Sequence, residues 1–216
     1  MAERLMTITE LKSLGGERFT LSFDDGSSIK TRLSVVADMS LYSGRELTES
    51  EYRKLLDASS LAECKARAML IIGARAMSVK ELTDRLIEKG ETPANAEDCA
   101  QWLVGLGLLN DRDYAGMIAR HYTSRGYGDR KIIEEFRRRG IDRSLWSEAL
   151  DSLSEVVNKD DKLDALVASR FKGCLPDADE KRRVSASLAR RGYSWDDIKS
   201  AVRRYEENTK DEQNVL

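Results

Sequence analysis

Three glycines, Gly90, Gly140 and Gly192, each stand inside the same local pattern, which leaves the chain few folds to choose from. They are spaced 50 and 52 residues apart. Eight and four residues before each lies an apolar pair: Leu82 and Leu86, Ile132 and Phe136, Val184 and Leu188. Immediately before each stands a cation (Lys89, Arg139, Arg191), the charge that a helix C-terminus favours. Two residues after each comes Thr92, Asp142 or Ser194, all good N-cap residues. From those caps, positions +4, +7, +8 and +11 carry Ala96, Cys99, Ala100 and Leu103 in the first copy. The second copy has Trp146, Ala149, Leu150 and Leu153, and the third has Ile198, Ala201, Val202 and Tyr205. All are apolar or aromatic at helical spacing, although the chain is only 41% hydrophobic. The pattern predicts helix, left-handed glycine stop, cap and helix, three times over.

A further helix precedes each pair, at roughly Leu61–Ala74, Asp111–Arg125 and Asp160–Lys172. In the second of these, Asn110 and Asp111 supply capping acceptors, and Tyr114, Ala115, Ile118 and Tyr122 form the apolar stripe. Gly126 and Gly128 read as the break before the next helix. Ser78 with Glu81 has the spacing of a capping box. The third copy has a longer first connection, Gly173–Pro176. The expected organisation is a mainly α chain of three tandem three-helix repeats, at 61–109, 110–158 and 159–205. One such repeat buries little surface alone, so neighbours are expected to stack into an elongated, curved body.

Residues 1–60 follow a different period. Phe19, Leu21 and Phe23 alternate with polar residues, Asp25-Gly26 supplies a turn, and Ile29, Thr31 and Leu33 alternate again. This predicts a β-hairpin, with Met6 and Ile8 available for a third strand. A short helix follows around Leu33–Tyr42 and stops at Gly44, and a capping box at Thr48 and Glu51 opens another through Leu55 and Leu56. At the other end, 206–216 reads as an acidic tail with Glu206, Glu207, Asp211 and Glu212, expected to fray.

Catalytic patterns are missing from the sequence. There is no GxxxxGK[ST], GxGxxG or GxSxG. The single histidine, His121, has no carboxylate or cysteine at ligand spacing, so neither a metal nor another cofactor is expected. The acidic pairs Asp24-Asp25, Asp160-Asp161 and Asp196-Asp197 fall at a turn or at helix starts, where carboxylates serve structure. Cys64, Cys99 and Cys174 are odd in number and far apart, predicting reduced thiols and a cytoplasmic protein, with Cys99 in a core stripe. The N-terminus lacks a signal-peptide core and no stretch suits a membrane. Tyr127 and Tyr193 read as loop pins, and Trp102, Trp146 and Trp195 as packing residues.

What remains is charge. The net charge is −2, but residues 159–205 hold 12 basic and 8 acidic side chains, against 8 and 10 in residues 1–60. The cations of the second and third middle helices, Arg130, Lys131, Arg137, Arg138, Arg182, Arg183 and Arg190, are candidates for an interaction surface. Their helices' apolar stripes must face inward, which leaves these side chains outside. Solvated helix faces with i,i+4 partners such as Glu134–Arg138 carry about equal weight as an explanation. The functional alternative is a face for an acidic partner or a phosphate backbone.

Several runs together resemble the RecX regulatory family, modulators of the RecA recombinase. They are Ala68-Met69-Leu70 with Arg75, Glu81-Leu82 through Leu86 to Lys89-Gly90, Leu109-Asn110-Asp111 with Tyr114-Ala115, and Arg125-Gly126 through Ile132 to Gly140-Ile141. The likeness covers Leu61–Leu153 well and the third repeat loosely. It implies a non-enzymatic protein that binds the RecA filament in its groove and lowers ATP hydrolysis and strand exchange, within DNA repair and the SOS response. A monomer without cofactor is expected, and the residues matched to the family look structural, so the contact residues rest on charge alone. The competing expectation is a sequence-nonspecific DNA-binding module. Against it, the helices after each short turn carry Trp146, Leu150 and Leu153, which read as core rather than groove-facing. Contact with DNA is therefore expected to be weak.

Overall fold

The computed structural model describes residues 5–154 and 159–214. Its first part is a four-stranded antiparallel sheet: β1 (Met6–Gly15), β2 (Arg18–Phe23), β3 (Ser28–Arg32) and β4 (Glu46–Leu47), in the order β3-β2-β1-β4. The expected hairpin is β2–β3, with Leu21 opposite Ile29 and Phe19 opposite Thr31. Alternation places Leu21, Phe23, Ile29 and Thr31 in the core with Ile8 and Leu47. Leu33 does not join the strand. It is exposed and begins α1 (Leu33–Asp38).

Helix α2 runs from Glu49 to Ala74 without a break. The helix opened by Thr48 and the one expected from Leu61 are one element, since no glycine or proline lies between them to stop it. The Thr48 capping box is complete: its hydroxyl accepts from the Glu51 N–H (3.2 Å) and Glu51 Oε2 accepts from the Thr48 N–H (2.9 Å). Those bonds and the Arg45 charge, against a smaller opposing effect of burial, hold the Glu51 carboxyl below its usual range. Ser59 donates to or accepts from Thr31 (2.8 Å) and Glu63 receives Arg32 through two bonds, so α2 is tied to the sheet.

Helices α3 (Val79–Glu88) and α4 (Pro93–Gly105) follow. Then come α5 (Asp111–Ser124), α6 (Asp129–Arg138), α7 (Trp146–Ser154, after a 3-10 turn), α8 (Lys159–Phe171), α9 (Ala178–Arg190) and α10 (Trp195–Asn214). The predicted caps form: Thr92 accepts from the Asn95 N–H, Asp142 from that of Ser144, and Ser194 from that of Asp197. Asn110 caps α5, whereas Asp111 instead accepts from the Val79 N–H (2.8 Å). Gly90, Gly140 and Gly192 all have positive φ, the left-handed stop expected of them. Leu82, Leu86, Ile132, Phe136 and Leu188 are buried, each contributing roughly 1.5–3 kcal/mol. The stripes after the caps are buried or half-buried, and the Leu153 side chain lies outside the described residues.

The chain divides into two compact units, Met1–Met77 with Glu81–Leu109, and Ser78–Lys80 with Asn110–Leu216. The segment from Glu206 is not frayed up to Asn214. It continues α10, because Glu206 pairs with Lys181 (2.8 Å) and Thr209 is buried and bonded to the Tyr205 carbonyl. Among the described residues no helix is long and apolar enough to cross a membrane.

Candidate functional site

Amphipathicity decides which side chains of the second unit reach solvent. Along α6, Ile132 and Phe136 are fully buried. The intervening turns leave Arg130, Arg137 and Arg138 exposed. Along α9, Leu188 is buried and Arg182, Arg183 and Arg190 are exposed. The exposed arginines therefore sit on one side of each helix and the buried apolar side chains on the other.

The seven candidate cations are not equivalent. Arg138 is bound to Glu135, which is only 7% exposed, through Nε (3.1 Å) and Nη2 (2.6 Å). Burial alone raises the Glu135 carboxyl. Hydrogen bonds from Arg138 and Tyr122, with the Arg138 and Arg139 charges, overcome this and hold it below the usual carboxylate range. Lys131 bonds Glu134 (2.8 Å), which pushes its ammonium up. Arg182 reaches Asp179 at 3.2 Å and Arg183 reaches Glu180 at 3.9 Å, both exposed pairs worth little. Arg130, Arg137 and Arg190 make no ion pair with any described residue, and Arg137 lies over the Trp146 ring, 5.3 Å from its centre.

The backbone brings some of these residues together. The Gly128 N–H donates to the Arg191 carbonyl (2.9 Å) and the Arg130 N–H to that of Gly192 (3.1 Å). Arg191 closes the same seam, its guanidinium donating to the carbonyls of Arg125 and Gly126 and covering Tyr127. Arg130, Lys131 and Arg190 thus gather at one junction of the second and third repeats. Arg137 and Arg138 lie about 10 Å further along α6, and Arg182 and Arg183 about 10–12 Å back along α9, at 1.5 Å per residue.

Sequence reasoning took Gly128 for a helix break. Its φ is −86° at an N-cap, where any residue fits and serine or aspartate is usual. A Cβ there would stand 2.5 Å from the Gly192 carbonyl oxygen, and one on Gly192 2.4 Å from the Lys131 nitrogen. The two glycines are needed for close passage of backbones. A glycine at a cap position with no local need of one was the only signal. Trp195 also departs from its expected packing role: it is 55% exposed, beside the exposed Lys199 and Arg203 in a groove between α9 and α10. Trp146 does pack, its indole N–H donating to the Ile141 carbonyl. Tyr127 and Tyr193 pin loops as expected. His121 is exposed and edges against Tyr122, and the described residues contain no metal-ligand cluster. Cys64 and Cys99 are buried thiols and Cys174 is an exposed one.

Comparison with known proteins extends this picture. A family model described as "RecX, second three-helix domain" matches residues 110–150, and "RecX, third three-helix domain" matches 160–202. The regulatory protein RecX of Pseudomonas syringae pv. tomato is 34% identical over 132 residues, covering 61% of this chain and 84% of that protein. The regulatory protein RecX of Bacillus subtilis is 28% identical over 203 residues, 90% of this chain and 75% of its own. A crystal structure of a regulatory protein RecX superposes with a TM-score of 0.75 at 20% identity, covering 92% of this chain and 99% of that one. RecX from Lactobacillus salivarius gives 0.62 over 69% of this chain. At such identities the structures speak for the fold.

Proposed function

The chain belongs to the RecX family of regulatory proteins, and from that premise we propose that it is a non-enzymatic regulator of the RecA recombinase that binds the RecA filament and lowers its ATP hydrolysis and strand exchange. Its setting is recombinational repair and the SOS response, in the cytoplasm, and it acts as a monomer with no cofactor. The observation that carries this reading is the second unit's repeat body with three cations, Arg130, Arg137 and Arg190, held outward without an ion pair among the described residues. Charges left unpaired on packed helices are available to an acidic protein surface or to phosphate. Arg182 and Arg183, in loose exposed pairs, exchange partners at little cost and extend that surface. Arg138 serves mainly the buried Glu135, and Lys131 is half-buried beside Glu134.

The test is DNA-dependent ATP hydrolysis by the cognate RecA. Substoichiometric protein should suppress it, and unchanged hydrolysis at an equimolar ratio rejects the proposal. The exposed Trp195 beside Lys199 and Arg203 favours a second reading, a direct hold on nucleic acid by stacking and charge. Titration of naked DNA at two salt concentrations separates the two. Tight, steeply salt-dependent binding without RecA promotes the second; weak binding at physiological salt is expected.

A further inference from the structure

Residues 1–60 hold 8 basic and 10 acidic side chains, yet the pleat of the first unit's sheet sorts them unevenly. Leu21, Phe23, Ile29 and Thr31 take the inner face, so the alternate residues of β2 and β3 take the outer one. The strand register aligns those residues in rows. Lys12 of β1, Thr20 of β2 and Lys30 of β3 form the middle row. On one side of it Arg18 lies between Gly15 and Arg32, and on the other Ser22 lies between Glu10 and Ser28. Lys12, Arg18 and Lys30 are exposed and make no ion pair with any described residue.

Cross-strand pairs of opposite charge stabilise a sheet, and like charges opposite one another do the reverse. Here Lys12 and Lys30 both face Thr20, and Arg18 faces Arg32, which is itself bound to Glu63 of α2. The sheet draws no stabilising pair from these three cations. Glu10 is the one acid in the three rows, and it stands in the row farthest from Arg18. Glu17, at the β1–β2 turn, instead lines a groove with Val35 and Ala62.

What the face lacks selects its partner. Protein docking sites centre on aromatic or aliphatic anchors, and single-stranded nucleic acid is held by bases stacked on aromatic rings. The three rows contain neither. They offer cations and the hydroxyls of Thr20, Ser22 and Ser28, the groups that contact phosphate oxygens. Lys12 and Lys30 stand about 10 Å apart, two strand spacings, and Arg18 is about 7 Å along β2 from Thr20 between them. We propose that this outer face binds the phosphate backbone of double-stranded DNA, with Lys12, Arg18 and Lys30 each taking one phosphate and no base being read. Three such contacts give binding that is weak at physiological salt and strengthens steeply as salt falls.

The test uses the full chain without RecA, so its failure is separate from failure of the filament proposal. A mixed-sequence DNA duplex and a single strand of equal length are titrated at salt concentrations from about 20 to 200 mM. The parent protein should bind the duplex, with log affinity falling linearly in log salt. Lys12→Gln, Arg18→Gln and Lys30→Gln together should reduce that slope by about 2.7, or 0.9 per cation. At the lowest salt they should weaken binding at least about tenfold. The melting temperature should not fall, since none of the three is in an ion pair with a described residue. Lys12→Gln and Lys30→Gln alone, on different strands, should each reduce the slope by about 0.9. Lys54→Gln, Lys89→Gln and Lys210→Gln together, exposed cations off this face, should keep the parent slope. In isotope-labelled protein the duplex should shift the amides of Lys12, Thr20 and Lys30. An unchanged slope in the triple variant overturns the proposal, as does an equal loss in the control. So does a single strand that binds more tightly than the duplex, or a duplex that leaves those three amides unmoved at the lowest salt.

Discussion

Gly90 and Gly192 end equivalent helices with nearly the same backbone, φ +91° and +94°. Yet a Cβ on Gly90 would meet nothing within 4 Å, whereas one on Gly192 would stand 2.4 Å from the Lys131 backbone nitrogen. Gly140 lies between these cases, against the stem of Lys80. One local device therefore does two jobs. In every repeat it stops a helix. In the third it is also the point at which one repeat's backbone crosses another's. Identical sequence grammar does not imply identical tertiary duty.

The largest expected effect breaks this comparison directly. Gly192→Ala combines a left-handed residue, about 1–2 kcal/mol, with an overpacked backbone contact, about 1–3 kcal/mol. Its loss in denaturant unfolding should reach about 3 kcal/mol or more. Gly128→Ala should cost the contact alone, and Gly90→Ala the conformation alone. Equal losses at Gly192 and Gly90 would show that the close passage carries no energy.

The next effect sharpens the contrast between the second and first repeats. Arg137→Glu with Arg190→Glu should weaken filament inhibition at least about tenfold, or 1.4 kcal/mol. Stability should change by no more than about 1 kcal/mol, mostly from the lost Arg137–Trp146 stacking. Arg138 is left out because reversing it would remove the shortest bonds to the buried Glu135 and set a like charge beside it, leaving Arg139 as its cationic partner. The control is Arg85→Glu with Lys89→Glu on α3. Lys80 is avoided there because its stem packs against Gly140. If the control pair weakens inhibition as much as the test pair, the binding face is misassigned while the family membership stands.

The smallest effect is on pH. Glu135 in the second unit and Glu51 in the first both titrate below the ordinary 4.5. For a depressed carboxyl the stabilisation is complete above the unfolded value and is lost as pH falls through the folded one. Stability should therefore fall on acidification below about pH 4.5. Glu135→Gln should flatten that slope more than Glu51→Gln, because Glu135 is the more buried of the two. Equal slopes in parent and Glu135→Gln protein would remove Glu135 as a source of the acid sensitivity.

Much of the fold was legible because its determinants are local. A cap works between residues two or three apart, a glycine stop within one turn, and an apolar stripe within a few turns. Thr92, Asp142, Ser194 and the three stop glycines therefore announce themselves. The hairpin does so as well, through alternation around Asp25-Gly26. Family membership was legible for the same reason, since the runs that carry it are these caps and stripes. Other features depend on residues far apart in the chain. Gly128 owes its identity to Gly192, 64 positions away. Arg138 is tied inward by the burial of Glu135, not by its place in a basic run. Trp195 stays in solvent although its position in the third helix suggested packing. Lys12, Arg18 and Lys30 share one face of the sheet only because β1, β2 and β3 pair in their particular register. Periodicity records which face of a helix is apolar. Which backbone passes close, which cation is already paired and which cations stand together depend on distances that only the folded chain sets.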